Sequence, residues 1–186
     1  MPGSRFSALT RYAVFFGLSC VVLAFVCRFA GIVLNVTPSA PRGLYERTSI
    51  PRTKQRGYYI LFCPDQKWPG FSNNPNYRKS YLGNCPDGEE ALLKPVSAWP
   101  GDIVTTTPIG VVVNGAIIHN SMPNSKDPFG KELHPYGYGN HRVAAGQVWV
   151  ISSHSPRSFD SRYFGPIPVT AIRTWLKPLM VEKEEP

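Results

Sequence analysis

Acidic residues are few in this sequence, cysteines and histidines fewer still, and clustered metal ligands are missing. Its 186 residues include 12 Asp and Glu against 20 Lys and Arg, with four Cys and four His. His119, His134, His141 and His154 are scattered, and neither Cys63 nor Cys85 has another Cys or a His two to four residues away. That spacing excludes the usual zinc sites, and neither a metal nor a cofactor is expected. There is no internal repeat, and beyond residue 34 no stretch carries ten residues of helical periodicity. The net charge of +8 comes with no nucleic-acid motif, so nucleic acid is not an expected partner.

One long hydrophobic run is present. Residues 12–34, YAVFFGLSCVVLAFVCRFAGIVL, are apolar at 19 of 23 positions. As a helix this run is roughly 34 Å long, enough to cross a ~30 Å hydrocarbon core. Arg28 is its one charge and lies near the far end, where its side chain can snorkel to the headgroups. The apolar part of a cleaved signal peptide runs only ~7–15 residues. The exit also lacks a good small-x-small cleavage site, since Arg28 stands at the −3 position from Ala30. A retained anchor over 12–34 is expected, with residues 1–11 before it and one compact domain, 35–186, after it.

Charge leaves the orientation open. Arg5 and Arg11 precede the run, while Arg42, Arg47, Arg52, Lys54 and Arg56 follow it. A positive-inside count would put the domain in the cytoplasm, but that rule weakens for long domains. The five basic residues after the run read as a collar against anionic membrane lipid.

Periodicity in the domain is that of strands. GYYILFC (57–63), DIVTTT (102–107), VVVNGAIIH (111–119) and QVWVIS (147–152) are apolar or alternating runs. Asn114-Gly115 signals a two-residue type I′ hairpin turn. PIPVTAIRTWL (166–176) reads as a last, edge-like strand, and the tail EKEEP as a short solvated end. An antiparallel, mainly β domain follows, with two long polar inserts at 64–90 and 120–146. Cys63 and Cys85 border the first insert. In an oxidising compartment they close a loop worth about 3 kcal/mol; otherwise they are two unpaired thiols.

Three segments carry possible chemistry. In TPSAPRG, Ser39 is either an ordinary turn residue or a hydroxyl presented by a chain that prolines stiffen. In LLKPVSAWPGD, Lys94 lies among Leu92, Leu93, Pro95, Val96 and Trp99. It is either a lysine snorkelling from a strand end or one pushed by desolvation toward a neutral amine that can act as general base. In SPRSFDSRYFG, Ser158, Asp160, Ser161 and Arg162 are crowded among aromatics. Asp160 and Arg162, two apart on an extended chain, project on one side and can pair.

Together the three segments resemble the membrane-bound signal peptidases, the Ser-Lys type I leader peptidase superfamily. The pattern (S/T)-x-S-x-P just after an anchor is met by Thr37-Pro38-Ser39-Ala40-Pro41. A lysine six residues before P-G-D is met by Lys94 and Pro100-Gly101-Asp102. The box S-x-D-S-R-Y-x-G is met by Ser158 through Gly165. NVTPSAPRGLY, YLGNCPDG and SFDSRYFGPI look like the conjugative-transfer branch, the TraF-type peptidases of plasmid type IV secretion systems. Two departures from the housekeeping enzymes, Ala40 in place of methionine and Ser153-His154-Ser155 in place of G-D-N, put a general secretory role in doubt.

The resemblance implies a single N-terminal transmembrane helix followed by an antiparallel β-sheet catalytic domain of signal-peptidase type with long polar loops. It places the protein in the bacterial inner membrane, with a cytoplasmic N-terminus and a periplasmic Ser-Lys peptidase domain. Ser39 is then the nucleophile and Lys94 its base, with Thr37 at the oxyanion, Ser158 orienting Lys94, and Asp160 and Arg162 supporting that box. The implied substrate is a pilin precursor or another leader-bearing membrane protein, with small residues at −1 and −3. The implied partners are type IV secretion components. Competing readings are a general type I signal peptidase, a non-enzymatic scaffold of the secretion complex, and a self-cleaving Ser-Lys protein of the repressor type.

Overall fold

A computed structural model describes residues 8–51, 53–65, 67–69, 71, 85, 86, 88 and 90–183. The chain opens with helix α1, Ala8–Phe29. Its apolar side chains are exposed on every side between residues 12 and 22, as Tyr12, Phe15, Phe16, Leu18 and Val21 illustrate. Among the described residues, no helix is long and apolar enough to cross a membrane. All of 1–7 and the side chains of 8, 9 and 23–28 lie outside that description, and part of the expected anchor, Arg28 included, falls on 23–28.

The helix stops at Phe29, five residues short of the expected end at 34. Gly31 turns the chain with φ of 72°, a conformation that costs a residue with a side chain and costs glycine almost nothing. Residues Ile32–Asn35 then form strand β1, which pairs with Gly43–Glu46. Sheet hydrogen bonds thus claim the end of the apolar run.

The remaining strands are β2 (Gly43–Thr48), β3 (Tyr59–Phe62), β4 (Leu92–Ala98), β5 (Ile103–Thr107), β6 (Gly110–Val113), β7 (Ala116–Ile117), β8 (Gly139–Arg142), β9 (Gln147–Val150), β10 (Ile167–Pro168) and β11 (Ile172–Val181). A seven-stranded sheet runs β1-β2-β11-β3-β4-β9-β10, and a four-stranded sheet runs β7-β6-β5-β8. Every pairing is antiparallel, as the sequence predicts. Asn114 and Gly115 both take positive φ, 49° and 84°, and join β6 to β7 in the predicted hairpin.

The last apolar run departs from the expectation of an edge strand. It divides into β10 and β11, and β11 lies inside the large sheet between β2 and β3. Its Pro178 is tolerated there because the pairing with β2 shifts register between Pro178 and Met180, where a missing N–H does little harm. The segment around Lys94 is also a strand, although Pro95 interrupts its sequence pattern.

The main core lies on the face of the large sheet that carries Ile60, Phe62, Val96 and Val150. Phe159, Tyr163 and Phe164 cover it. The first insert contributes Trp68, stacked 6.2 Å from Phe62, and Phe71, 5.0 Å edge-on from Phe159. Cys63 and Cys85 are disulfide-bonded across 22 positions. The insert is therefore pinned at its ends by a covalent bond and by aromatic packing. Replacing both cysteines by serine is expected to lower stability by about 3 kcal/mol, a fall in melting temperature of roughly 6–12 °C. Thermal unfolding with and without reductant measures it, and the double variant should be indifferent to reductant.

Candidate active site

Ser39 sits on the loop between β1 and β2, and the loop is built around Asn35. This asparagine is 5% exposed. Its side-chain nitrogen donates to the carbonyls of Thr37, Ala40 and Pro41 at 3.1, 3.0 and 3.0 Å. Its oxygen accepts the Thr37 N–H at 3.1 Å and the Thr37 hydroxyl at 2.7 Å. Three carbonyls can be served only by the nitrogen, so the amide has one possible orientation. Tyr45 adds a hydroxyl bond to the Pro41 carbonyl at 2.7 Å. The prolines alone do not stiffen this segment; Asn35 gathers it into a knot. Thr37 Oγ1 and Ser39 Oγ lie 3.5 Å apart on its half-exposed rim. Asn35 escaped the motif reading, and its signal is an Asx-type turn two residues ahead of a threonine.

Lys94 lies in the middle of β4, opposite Ile60 and on the same face as Val96, which aims its side chain into the main core. It is 4% exposed. Nζ donates to Ser158 Oγ at 3.2 Å. Burial drives the amine toward its neutral form, Asp160 opposes that and Arg162 adds to it, so the pKa falls to about 8.

Ser158 is itself positioned by a buried ion pair. Asp160 and Arg162 do pair, but on a helical turn and not on an extended chain. Asp160 caps α2 (Ser161–Phe164) by accepting the Arg162 N–H at 3.2 Å, and this cap starts the turn. Arg162 Nε and Nη2 then reach the two carboxylate oxygens at 2.8 Å each. The rest of the guanidinium donates to the carbonyls of Ser158 at 3.1 Å, Asn120 at 2.8 Å and Met122 at 3.2 Å. Burial opposes the charge on Arg162, but the bonds from Asp160 outweigh it and hold its pKa above the ordinary arginine value. Asp160 also accepts the Ser152 N–H at 3.0 Å, and Ser161 Oγ accepts that of Val150 at 3.0 Å. The box therefore satisfies the backbone where β9 ends.

The structure thus forms two groups, Lys94–Ser158–Asp160–Arg162 and Thr37–Ser39. Among the described residues, the hydrogen bond of Lys94 Nζ goes to Ser158 and none reaches Ser39. Ala40, next to Ser39, packs with Leu93, next to Lys94, but Leu93 alternates with Lys94 along β4, so this contact lies on the face of the sheet opposite the Lys94 side chain. A cleft of about 640 Å³ is lined by Pro41, Tyr59, Pro95, Ser97, Ile117 and Ser153 among others, and its lining includes neither Ser39, Lys94 nor Ser158. Among the described residues no set of three or more His, Cys, Asp or Glu side chains is placed to hold a metal ion.

The sequence matches the family described as signal peptidase, peptidase S26, over residues 5–177. The chain belongs to that family. Membership carries serine-peptidase chemistry with it. A plasmid transfer protein TraF of Escherichia coli is 35% identical over 178 residues, covering 95% of this chain and 98% of its own. A conjugal transfer protein TraF of Agrobacterium fabrum is 31% identical over 155 residues, covering 80% and 82%. Among solved structures, a signal peptidase I of Enterococcus faecalis is 18% identical with a TM-score of 0.36, covering 66% of this chain and 96% of its own. That likeness is too distant to carry the assignment, which rests on the family and the relatives.

The buried amine has a consequence for stability. An unfolded lysine holds its proton to about pH 10, whereas folded Lys94 gives it up near 8. Between those values the unfolded chain binds the extra proton, so stability rises with pH. Lys94 therefore destabilises the fold most below pH 8, by something of order 3 kcal/mol. Lys94→Met is expected to raise stability at pH 7 by about 1–3 kcal/mol, with the gain shrinking toward pH 10. Denaturant titrations at both pH values test this; an equal gain at each would mean that burial of the charge is not the cause.

Proposed function

We propose that this chain is a membrane-anchored serine endopeptidase that removes the leader or terminal segment of a conjugative pilin precursor. The observation that carries the reading is the buried Lys94 amine, driven toward neutrality beside Ser158, in a signal peptidase whose relatives are named for plasmid and conjugal transfer. In this reading the apolar run is the anchor of an inner-membrane protein, with residues 1–11 cytoplasmic and 35–186 periplasmic. Two features favour it. The described flanks of α1 expose apolar side chains on every side, a surface suited to lipid. The Cys63–Cys85 bond suits an oxidising compartment.

Ser39 Oγ attacks the scissile carbonyl carbon, and its proton passes to the Lys94 amine. Since the resting amine bonds Ser158, substrate binding must bring Ser39 to it, as catalytic hydrogen bonds often tighten only in the complex. The oxyanion is met by the Ser39 N–H and the Thr37 hydroxyl, which must swing from Asn35 to do so. Collapse breaks the C–N bond, and the leaving amine takes the proton from Lys94. The Ser39 ester is then released by water, giving a linear product, or by the substrate's own α-amine, giving a ring. Asp160 and Arg162 act at a distance, by holding Ser158.

The precursor is threaded through the membrane, so a nucleophile a few residues beyond the anchor meets it at the bilayer surface. Type IV secretion components are the expected neighbours.

Mass spectrometry of a pilin precursor co-expressed with wild type, Ser39→Ala or Lys94→Ala tests the assignment. Only the wild type should trim it, and a product one water lighter than the linear chain marks ring closure. Equal trimming by all three would sink the reading. With peptide substrate, kcat/KM should climb with pH around an apparent pKa near 8, and replacing all four histidines should leave that limb in place. A limb that disappears with a histidine would remove Lys94 from the role of base.

A further inference from the structure

The C-terminal tail is not a free solvated end at its first residue. Glu182 follows directly on β11, where Val181 pairs with Gly43. It continues the ladder by one step, its N–H donating to the Arg42 carbonyl at 2.9 Å. Its side chain turns back, and Oε1 accepts the Arg42 N–H at 2.9 Å. The same oxygen stands 3.3 Å from His154 Nε2. Arg42 is three residues past Ser39, and His154 is four residues before Ser158. One carboxylate therefore touches both segments that carry the two halves of the site.

The contact is built closely. At Gly43, with φ of 135°, an added Cβ would lie 2.2 Å from the Met180 carbonyl oxygen, so only glycine lets β11 approach here. The bulge after Pro178 brings Met180 and Val181 into step with Leu44 and Gly43 and so delivers Glu182 opposite Arg42. The Arg42 N–H holds the Glu182 carboxyl below its ordinary pKa, and the Arg42 and His154 charges act in the same direction. Arg56, His119 and Lys183 line the same cleft as Glu182.

We propose that Glu182 is a positioning residue of the peptidase. It anchors the C-terminal side of the nucleophile loop through the Arg42 N–H, as Asn35 anchors the N-terminal side, and ties that loop through His154 to the segment holding Ser158. This inference rests on Ser39 being the nucleophile. Its effect belongs to the geometry of attack, where a small displacement of the nucleophile lowers turnover steeply and leaves substrate binding nearly intact.

The test compares full-length wild type, Glu182→Ala, Glu182→Gln and Ser39→Ala in detergent micelles. The probe is a quenched-fluorescent peptide with alanine at −1 and −3, and amide hydrogen exchange at Arg42 is measured in parallel. Glu182→Ala should lower kcat about tenfold with KM within about twofold, and should speed Arg42 exchange about tenfold, without a fall in melting temperature. Glutamine keeps an acceptor for the Arg42 N–H, so Glu182→Gln should recover kcat to within about threefold of wild type. Wild-type turnover and a protected Arg42 amide in Glu182→Ala would overturn the proposal, as would an equal loss in the alanine and glutamine variants. Cleavage by Ser39→Ala would instead overturn the assignment of the nucleophile. The exchange measurement needs no substrate, and it judges the Arg42 anchor by itself.

Discussion

The Asp160–Arg162 pair organises the segments around Ser158, and it does so because neither charge can reach water. Asp160 is fully buried and Arg162 nearly so. A buried guanidinium has five N–H donors to satisfy, and each that is left unpaired costs free energy on the order of 1–3 kcal/mol or more. The surrounding chain must therefore bring acceptors to it. The carbonyls of Ser158, Asn120 and Met122 answer that demand, along with the Asp160 carboxylate. The second insert is drawn over the core at one end by Asn120 and Met122, and at the other by Tyr136, whose N–H donates to the Arg162 carbonyl at 2.8 Å.

Through Ser158 the same pair determines the surroundings of Lys94. An amine in the core would ordinarily be a fault in the fold, since desolvation disfavours its charge and its hydrogen-bonding groups must still be met. Here Ser158 receives it, and the two nearby charges partly cancel at its position, Asp160 raising its pKa and Arg162 lowering it. Desolvation is left as the dominant effect, which is the condition a lysine needs to lose its proton near neutrality. The burial that frees the amine of its proton is also a cost to the stability of the fold.

The loop that carries Ser39 solves a different problem. It is short and partly exposed, and three carbonyls within it have no strand partner to accept from. Asn35 answers from inside and Tyr45 from below, so the loop has a defined shape without belonging to either sheet. Its outer side rests on the end of β11, the last strand of the chain joined to one of the first. The loop is shaped by chain segments 140 positions apart.

Much of this was legible in the residues. The strands built on alternating β-branched and aromatic residues and the Asn114-Gly115 turn follow from local rules that need no knowledge of neighbours, whereas the sequence left Cys63 and Cys85 open as a bond or two thiols and the structure joins them. So do the three motif segments and their order behind an apolar run, because spacing within a motif is a property of the sequence. Where prolines or glycines interrupt the pattern, local rules fail. β4 hides behind Pro95, β11 behind Pro178, and the helix end behind an apolar run that continues past Gly31 into a strand. The sequence by itself determined a mainly β domain and the residue types of its site. Only the tertiary structure decided that Lys94 points into the core, that Asp160 caps a helical turn, that Asn35 knots the loop of Ser39, and that Glu182 meets Arg42. Each of these depends on which distant segment supplies the missing hydrogen-bond partner or excludes water, and no local spacing encodes that.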